Sequence, residues 1–348
     1  MRIKKRKTRL VKVGKISIGG GHPVVIQSMT KFRTADFEKV IKQINDLEHA
    51  GCQIVRLAIK EKNDLEGFRK IKGKVNLPLV ADIHFDYKLA LGAIDSGADK
   101  IRLNPGNIYK KEEVREVVAA LKSAKIPMRI GLNSGSVRGS GSMPDKLVKS
   151  ALDYIRMVEG FKFHDIVVSL KASNVMETVS AYRKFASVCD YPLHLGVTAT
   201  GFPYAGAIKS SIALGVLLLE GIGDTIRVSL TDKPVKEVWT AKVILESLGL
   251  RRFGPEVISC PTCGRCEVNL VQLVGDFEKK VASLRLKPVK IALMGCVVNG
   301  PGEAKEAEIG VAFGKDYGLL FKRGKAIKKI PFSGCIDALL KEMENKHG

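Results

Sequence analysis

The sequence predicts an α/β protein: a (β/α)8 TIM barrel over residues 1–250, then a small α+β domain over residues 255–348. Three observations predict it. Between Val24 and Gly249, short apolar runs alternate with amphipathic stretches eight times, and an even run of eight favours a closed barrel over an open doubly wound sheet. Past Gly249 the alternation stops. Four of the seven cysteines fall between residues 260 and 296, inside the second segment.

The elements follow in order. The basic leader 1–23, with its "GKISIGGGHP" turn, is expected to form a small hairpin under the barrel. The strands read "VVIQSM", "IVRLAI", "PLVADIH", "KIRLNPG", "MRIGLN", "DIVVSLKAS", "LHLGVTA" and "TIRVSLT". Stretches such as "DFEKVIKQINDLEHAG", "EEVREVVAALKSA", "VMETVSAYRKFASV" and the closing "VKEVWTAKVILESLG" repeat apolar residues at helical spacing. Asp36 and Asn174 stand at N-cap positions, and Gly51 and Gly249 where helices stop. After the linker "LRRFGP" come "EVISCPTCGRC", a helix over 268–284, a strand over 289–295 and the loop "MGCVVNGPGEA". A strand "EIGVAFG", a hairpin "GLLFKRGKAIKKI" and a last helix complete the chain. The loop is too rich in Gly and Pro to read as helix or central strand.

Composition narrows the function. Hydrophobic content of 45% and charged content of 27% suit a globular protein. No apolar run reaches the roughly 18–20 residues of a membrane span, and no apolar signal core follows the basic "MRIKKRKTRL". A cytoplasmic location is expected. The net charge of +22 fits an anionic partner, either nucleic acid or a phosphorylated substrate. It also fits lysines on solvated helix faces. No zinc finger, helix-turn-helix or RNA-recognition motif stands out.

In a barrel of this type, function sits at the C-terminal ends of the strands. Polar residues recur there two apart, on one face of each strand. They are Arg56; Asp82 and His84; Arg102 and Asn104; Arg129 and Asn133; Ser169, Lys171 and Ser173; His194 and Thr198; Arg227 and Ser229. Four arginines and a lysine at one mouth repel unless an anion joins them, and guanidinium suits bidentate phosphate binding. Asp82 is the one carboxylate on these faces, so internal pairing accounts for one or two of the cations. His84 and His194 read equally as catalytic or as core residues; His22, His49, His164 and His347 read as surface or turn residues.

An odd number of cysteines argues against a disulfide framework. "CPTC" alone suits zinc, an iron–sulfur cluster or a dithiol, and "CPTCGRC" extends it to a ferredoxin-like spacing. Two ligand sets remain open: Cys260, Cys263, Cys266 and Cys296, or Cys260, Cys263, Cys296 and Glu303. In the second, Gly300, Pro301 and Gly302 bend the chain so that Glu303 reaches the group held by Cys296. A carboxylate-bound iron opens more readily than a thiolate-bound one.

The motifs "VKVGKISIGGGHPVVIQSMT", "ADIHF", "RLNPGN", "GLNSGS", "HLGVT", "GIGDTIRVSLT", "CPTCGR" and "GCVVNGPGEA" together resemble the 4-hydroxy-3-methylbut-2-enyl diphosphate synthase family. These are iron–sulfur enzymes of the methylerythritol phosphate route to isoprenoids. The resemblance spans nearly the whole chain and corresponds to the bacterial two-domain form. It implies a [4Fe–4S] cluster on Cys260, Cys263, Cys296 and Glu303. It implies two-electron reductive ring opening of 2-C-methyl-D-erythritol 2,4-cyclodiphosphate with loss of a hydroxyl as water, flavodoxin or ferredoxin delivering the electrons. Arg56, Arg102, Arg129, Lys171, Arg227 and Ser229 match diphosphate-binding positions, and Asp82, His84 and Asn133 match residues of substrate handling. A homodimer in which each cluster domain caps the partner's barrel is also implied. A linker of about ten residues spans at most roughly 35 Å, compatible with capping within or between chains.

Two departures stand against the family pattern. After strand seven the family reads "LGVTEAG", its glutamate serving the chemistry; this chain reads "LGVTATGF", with Ala199 and Thr200 there. Asp82 or a water is the expected substitute. Cys266 is extra and reads as a bystander near the cluster. Ala199 also motivates an alternative, a repurposed or inactive cluster protein associated with nucleic acid. A barrel hydrolase or aldolase with structural zinc is a further rival.

Overall fold

The computed structural model describes residues 3–282, 284, 287–298 and 300–344; His347 lies outside them. The chain divides into two compact units, Met1–Arg251 and Arg252–Gly348.

The first unit opens with the hairpin β1 (Val11–Val13) and β2 (Ile16–Ile18), paired antiparallel. Then come β3 (Val25–Met29), α1 (Phe37–His49), β4 (Ile54–Ile59), α2 (Lys62–Lys72), β5 (Leu79–Ile83), α3 (Tyr87–Asp95) and β6 (Lys100–Leu103). They are followed by α4 (Lys111–Ala124), β7 (Met128–Asn133), α5 (Met143–Gly160), β8 (Ile166–Lys171) and α6 (Val175–Val188). The unit ends with β9 (His194–Leu195), α7 (Pro203–Leu219), β10 (Thr225–Ile226) and α8 (Pro234–Ser247). The eight parallel strands run β8-β7-β6-β5-β4-β3-β10-β9, and a parallel bridge between Val168 and Leu193 joins the two ends. The alternation is therefore a barrel.

Local chemistry explains the pieces. α1 buries Val40, Ile44 and Leu47, spaced for one helical face. Asn174 Oδ1 accepts from the Glu177 amide at 3.1 Å and caps α6. Asp36 occupies the N-cap of α1 without a side-chain bond. Gly51 and Gly249 take φ of +96° and +63°, the left-handed turn that ends a helix. Val11, Val13 and Ile18 of the hairpin pack against Val25, Ile54, Val80 and Val167. The hairpin thus seals the end of the barrel where the strands begin.

β9 and β10 hold two residues each, shorter than the apolar runs suggest. Beyond them the backbone leaves the ladder: the Thr198 amide bonds the Ala172 carbonyl at 3.1 Å, and the Thr231 amide bonds that of Gly201 at 3.1 Å.

The second unit is a five-stranded mixed sheet, β11 (Glu256–Ser259), β12 (Lys290–Met294), β13 (Ile309–Phe313), β14 (Tyr317–Lys322) and β15 (Lys325–Pro331), in that order. β11, β12 and β13 are parallel, and β13–β15 form an antiparallel meander. α9 (Leu270–Ala282) and α11 (Cys335–Glu344) cover one face, through Phe277, Val281 and Leu339 against Ile291, Leu293, Ile309 and Val311. On the other face Ala292, Met294, Ala304, Ala312 and Phe321 cluster.

The Gly- and Pro-rich loop contains one helical turn, α10 (Gly300–Glu303), which corrects the reading that the segment is too rich in Gly and Pro for helix. Pro301 is tolerated because a first turn needs no amide from it. Gly300 is required by space: a Cβ there would lie 2.8 Å from Met294 Cβ and 2.9 Å from Ala312 Cβ.

Candidate active site

All eight barrel strands or the loops directly after them contribute to one cavity of about 180 Å³ at the mouth. Arg56, Asp82, His84, Arg102, Arg129, Asn133, Ser169, Lys171, Thr198, Arg227 and Ser229 line it, with Met29 and Val197. Three polar strand residues stand elsewhere. Asn104 Oδ1 accepts from the Gly106 amide and from Ser136 Oγ, at 3.1 and 3.2 Å, and shapes the loop. Ser173 is exposed. His194 is fully buried inside the barrel.

Asp82 organises one side. Its carboxylate meets Arg102 Nη1 at 3.0 Å and Arg56 Nε at 3.3 Å. Burial pushes its pKa up, but Arg102, Arg56 and Arg129 outweigh that and hold it well below the usual carboxylate range. Arg102 also donates to the Gly131 carbonyl at 2.7 Å. A Cβ on Gly131 would lie 2.5 Å from Arg102 Nε, so this glycine makes room for the guanidinium. Burial brings Arg56 down to about 10.

Arg227 is held from the other side by a residue that sequence reasoning missed. Glu237 of α8 is buried, and its Oε2 meets Arg227 Nε and Nη2 at 3.3 Å and accepts from Ser28 Oγ at 3.1 Å. Its Oε1 accepts from the Leu230 amide and pairs with Lys31 Nζ, each at 3.1 Å. Asp82 is therefore not the only internal carboxylate. The signal was present: Glu237 falls in the buried stripe of Pro234, Val238, Ala241, Ile244 and Leu245.

Among the described residues, neither Arg129 nor Lys171 forms a salt bridge, and Asp82 acts on Arg129 from beyond ion-pair distance. Burial, reinforced by Arg56 and Arg102, pushes Arg129 well below its ordinary value. Lys171 is depressed by burial and then by Arg56, Arg227, Arg129 and Arg102, and no carboxylate is among the groups it faces. Five cationic side chains line the cavity against one lining carboxylate. In a site of low dielectric such an excess favours a multivalent anion.

Ala199 is exposed, with φ of +52°, and does not line the cavity. Thr200 Oγ1 turns away and donates to the Ser229 carbonyl.

In the second unit, Cys260 directly follows β11, and Cys296 stands two residues after the parallel neighbour β12. Both thus lie at the same end of the sheet, past the C-termini of two parallel strands. The Gly295 amide donates to Cys260 Sγ at 3.3 Å. Cys263 is exposed and Cys296 buried. The Cys266 amide closes a turn onto the Cys263 carbonyl at 2.9 Å, while its thiol donates to the Val268 carbonyl at 3.2 Å. Glu303 ends α10 and is exposed. Among the described residues, no three His, Cys, Asp or Glu side chains form a group able to hold a metal ion. Thiolates from the ends of neighbouring strands are donors that fit an iron–sulfur group.

A family model described as GcpE TIM-barrel domain matches residues 8–242, and one described as GcpE protein C-terminal domain matches residues 256–345. The chain belongs to the GcpE family. Three of its relatives match over 92–99% of their own length. A Fusobacterium nucleatum protein, 52% identical across 98% of this chain and 99% of its own, is named 4-hydroxy-3-methylbut-2-en-1-yl diphosphate synthase (flavodoxin). Proteins of the same name from Lawsonia intracellularis and Thermodesulfovibrio yellowstonii are each 51% identical, over 94% and 98% of this chain and 92% and 99% of their own. The GcpE barrel is also similar in fold to dihydropteroate synthase from Stenotrophomonas maltophilia. That match has a TM-score of 0.55 and 10% identity, and covers 70% of this chain and all of the other.

Proposed function

We propose that this GcpE-family chain is a 4-hydroxy-3-methylbut-2-enyl diphosphate synthase. It converts 2-C-methyl-D-erythritol 2,4-cyclodiphosphate to 4-hydroxy-3-methylbut-2-enyl diphosphate, with flavodoxin, or ferredoxin in its place, as electron donor. The observation that carries the assignment is the cationic mouth, whose unpaired Arg129 and Lys171 suit a cyclic diphosphate. The full-length likeness to synthases supports it, and the repurposed-protein alternative draws no support from those relatives.

The residues divide the work. Arg56, Arg102, Arg129, Lys171, Arg227 and Ser229 bind the diphosphate. Asp82 fixes the aim of Arg56 and Arg102, and Glu237 that of Arg227, so the charges are placed before substrate arrives. His84 and Asn133 line the mouth as polar contacts to the sugar-derived part. Asp82, ionised between two guanidiniums, is a positioning residue and a poor proton source; the expected substitute for the family glutamate therefore passes to His84 or a water. Cys260, Cys263, Cys296 and Glu303 are the proposed holders of a [4Fe–4S] cluster, which when bound supplies the two electrons. The Cys266 thiol, turned to the Val268 carbonyl, supports its reading as a bystander.

A homodimer belongs to this reading. Tyr204, Ile208 and Ile212 on α7 and Trp239 and Val243 on α8 leave apolar side chains exposed on adjacent helices, surface that a second copy would cover. Sedimentation of Trp239→Glu against the unaltered protein checks it, a shift to monomer being expected.

Anaerobic turnover of the cyclodiphosphate by cluster-loaded protein, with iron and sulfide counted in the same sample, tests the function. Product is expected. No product at full loading, from this chain and from Ala199→Glu alike, rejects the assignment.

A further inference from the structure

Beneath the mouth, the barrel carries a second polar tier that the proposed reaction does not use. Gln27 stands on β3 between Val25, packed into the apolar floor, and Met29, which lines the cavity. Lys100 precedes Arg102 by two residues on β6, so it lies on the same inward face one step lower. Lys100 and His194 are 0% exposed, and Gln27 and Arg129 1%. Lys100 faces Arg129 and Arg56, and His194 faces Lys171, Arg129, Lys100 and Arg56; no carboxylate is among these groups, and Asp82 reaches the tier through Arg129. Among the described residues, Gln27 Nε2 and Oε1, Lys100 Nζ, Arg129 Nε and Nη1, and His194 Nε2 are buried without hydrogen-bond partners.

The tier is chemically one-sided. Both Arg129 nitrogens, Gln27 Nε2 and a protonated Lys100 Nζ can only donate, and a neighbouring anion offsets the burial that pushes Lys100 well below its ordinary value. His194 Nδ1 lies 3.4 Å from Thr225 Oγ1; when that hydroxyl donates to the ring, Nε2 carries the proton and becomes a further donor. Gln27 Oε1 is then the lone acceptor in the group. A water here meets donors on every side and one acceptor for its two hydrogens. An anion has no hydrogens to place, and it supplies the charge whose absence makes a buried lysine costly.

We propose that a small monovalent anion of the chloride class binds inside the barrel below the substrate cavity, held by Lys100, Arg129, Gln27 and His194. Arg129 belongs to both tiers, so the anion steadies from below a guanidinium that meets substrate from above. The anion site needs no step of the reaction assigned to the mouth, though the two share Arg129.

Bromide-soaked crystals of the full chain, with anomalous scattering measured at the bromine edge, provide the test. Thermal melts in sodium bromide and in sodium gluconate at equal ionic strength accompany them, for the unaltered protein and for Lys100→Met. The expected results are an anomalous peak between Lys100 and Arg129 and a melting temperature higher in bromide by about 2–4 °C. That difference should vanish in Lys100→Met; if this variant fails to fold, Gln27→Leu replaces it, with the difference reduced. A water at that position with no anomalous signal, or a bromide effect unchanged by the variants, overturns the proposal.

Discussion

Gly196 lies directly beneath Lys171: a Cβ at position 196 would stand 2.6 Å from Lys171 Nζ and 2.8 Å from the Arg227 carbonyl oxygen. The missing side chain is what lets the ammonium cross to the mouth. Gly196→Ala should therefore fold but displace Lys171, at a cost of about 1–3 kcal/mol of overpacking. KM for the cyclodiphosphate should rise at least tenfold, with a smaller fall in kcat. An unchanged KM would show that Lys171 does not bind the diphosphate.

Glu237→Gln keeps the shape of the side chain and removes its charge, leaving Arg227 and Lys31 without their shared carboxylate. Hydrogen bonds to charged groups are worth roughly 1.5–3 kcal/mol, so kcat/KM should fall on the order of 10- to 100-fold. Glu237→Ala should fall further and lower the melting temperature as well. Steady-state kinetics beside thermal melts separates the two effects.

Cys296→Ser and Cys266→Ser should differ in iron content. The first should lose nearly all iron and sulfide after reconstitution; the second, whose thiol donates to the Val268 carbonyl, should retain them. Glu303→Ala should keep part of the cluster and lose most of its turnover. Equal iron in Cys296→Ser and the unaltered protein would remove Cys296 from the ligand set.

His194 predicts a pH effect on stability. Burial, then Lys171, Arg129, Lys100 and Arg56, push its pKa well below the ordinary value. The unfolded chain therefore binds a proton that the folded barrel refuses. Stability from this group is present above about pH 6.5 and is lost as pH falls toward the folded-state value. Stability should therefore fall between pH 7.5 and 5.5. Urea unfolding at the two pH values should show it, and His194→Gln should lose that share of the slope.

Strand ends were legible because their polar residues recur two apart, and the cavity gathers most of the residues read that way. Glu237 was hidden by its address: it sits on a helix, in an apolar stripe, and reaches the mouth only once α8 packs against β3. The turn over 300–303 was misread because composition was weighed without the space available between Met294 and Ala312. β9 and β10 look long in sequence because apolar residues continue past the point where the backbone changes partners.

The hairpin of Val11–Val13 and Ile16–Ile18, packed on Val25, Ile54, Val80 and Val167, makes the barrel a stoppered vessel. Among the described residues the mouth is then the doorway that substrate, product, the water released and any incoming proton share. Traffic through it is sequential, so whatever covers that doorway decides when each of them leaves.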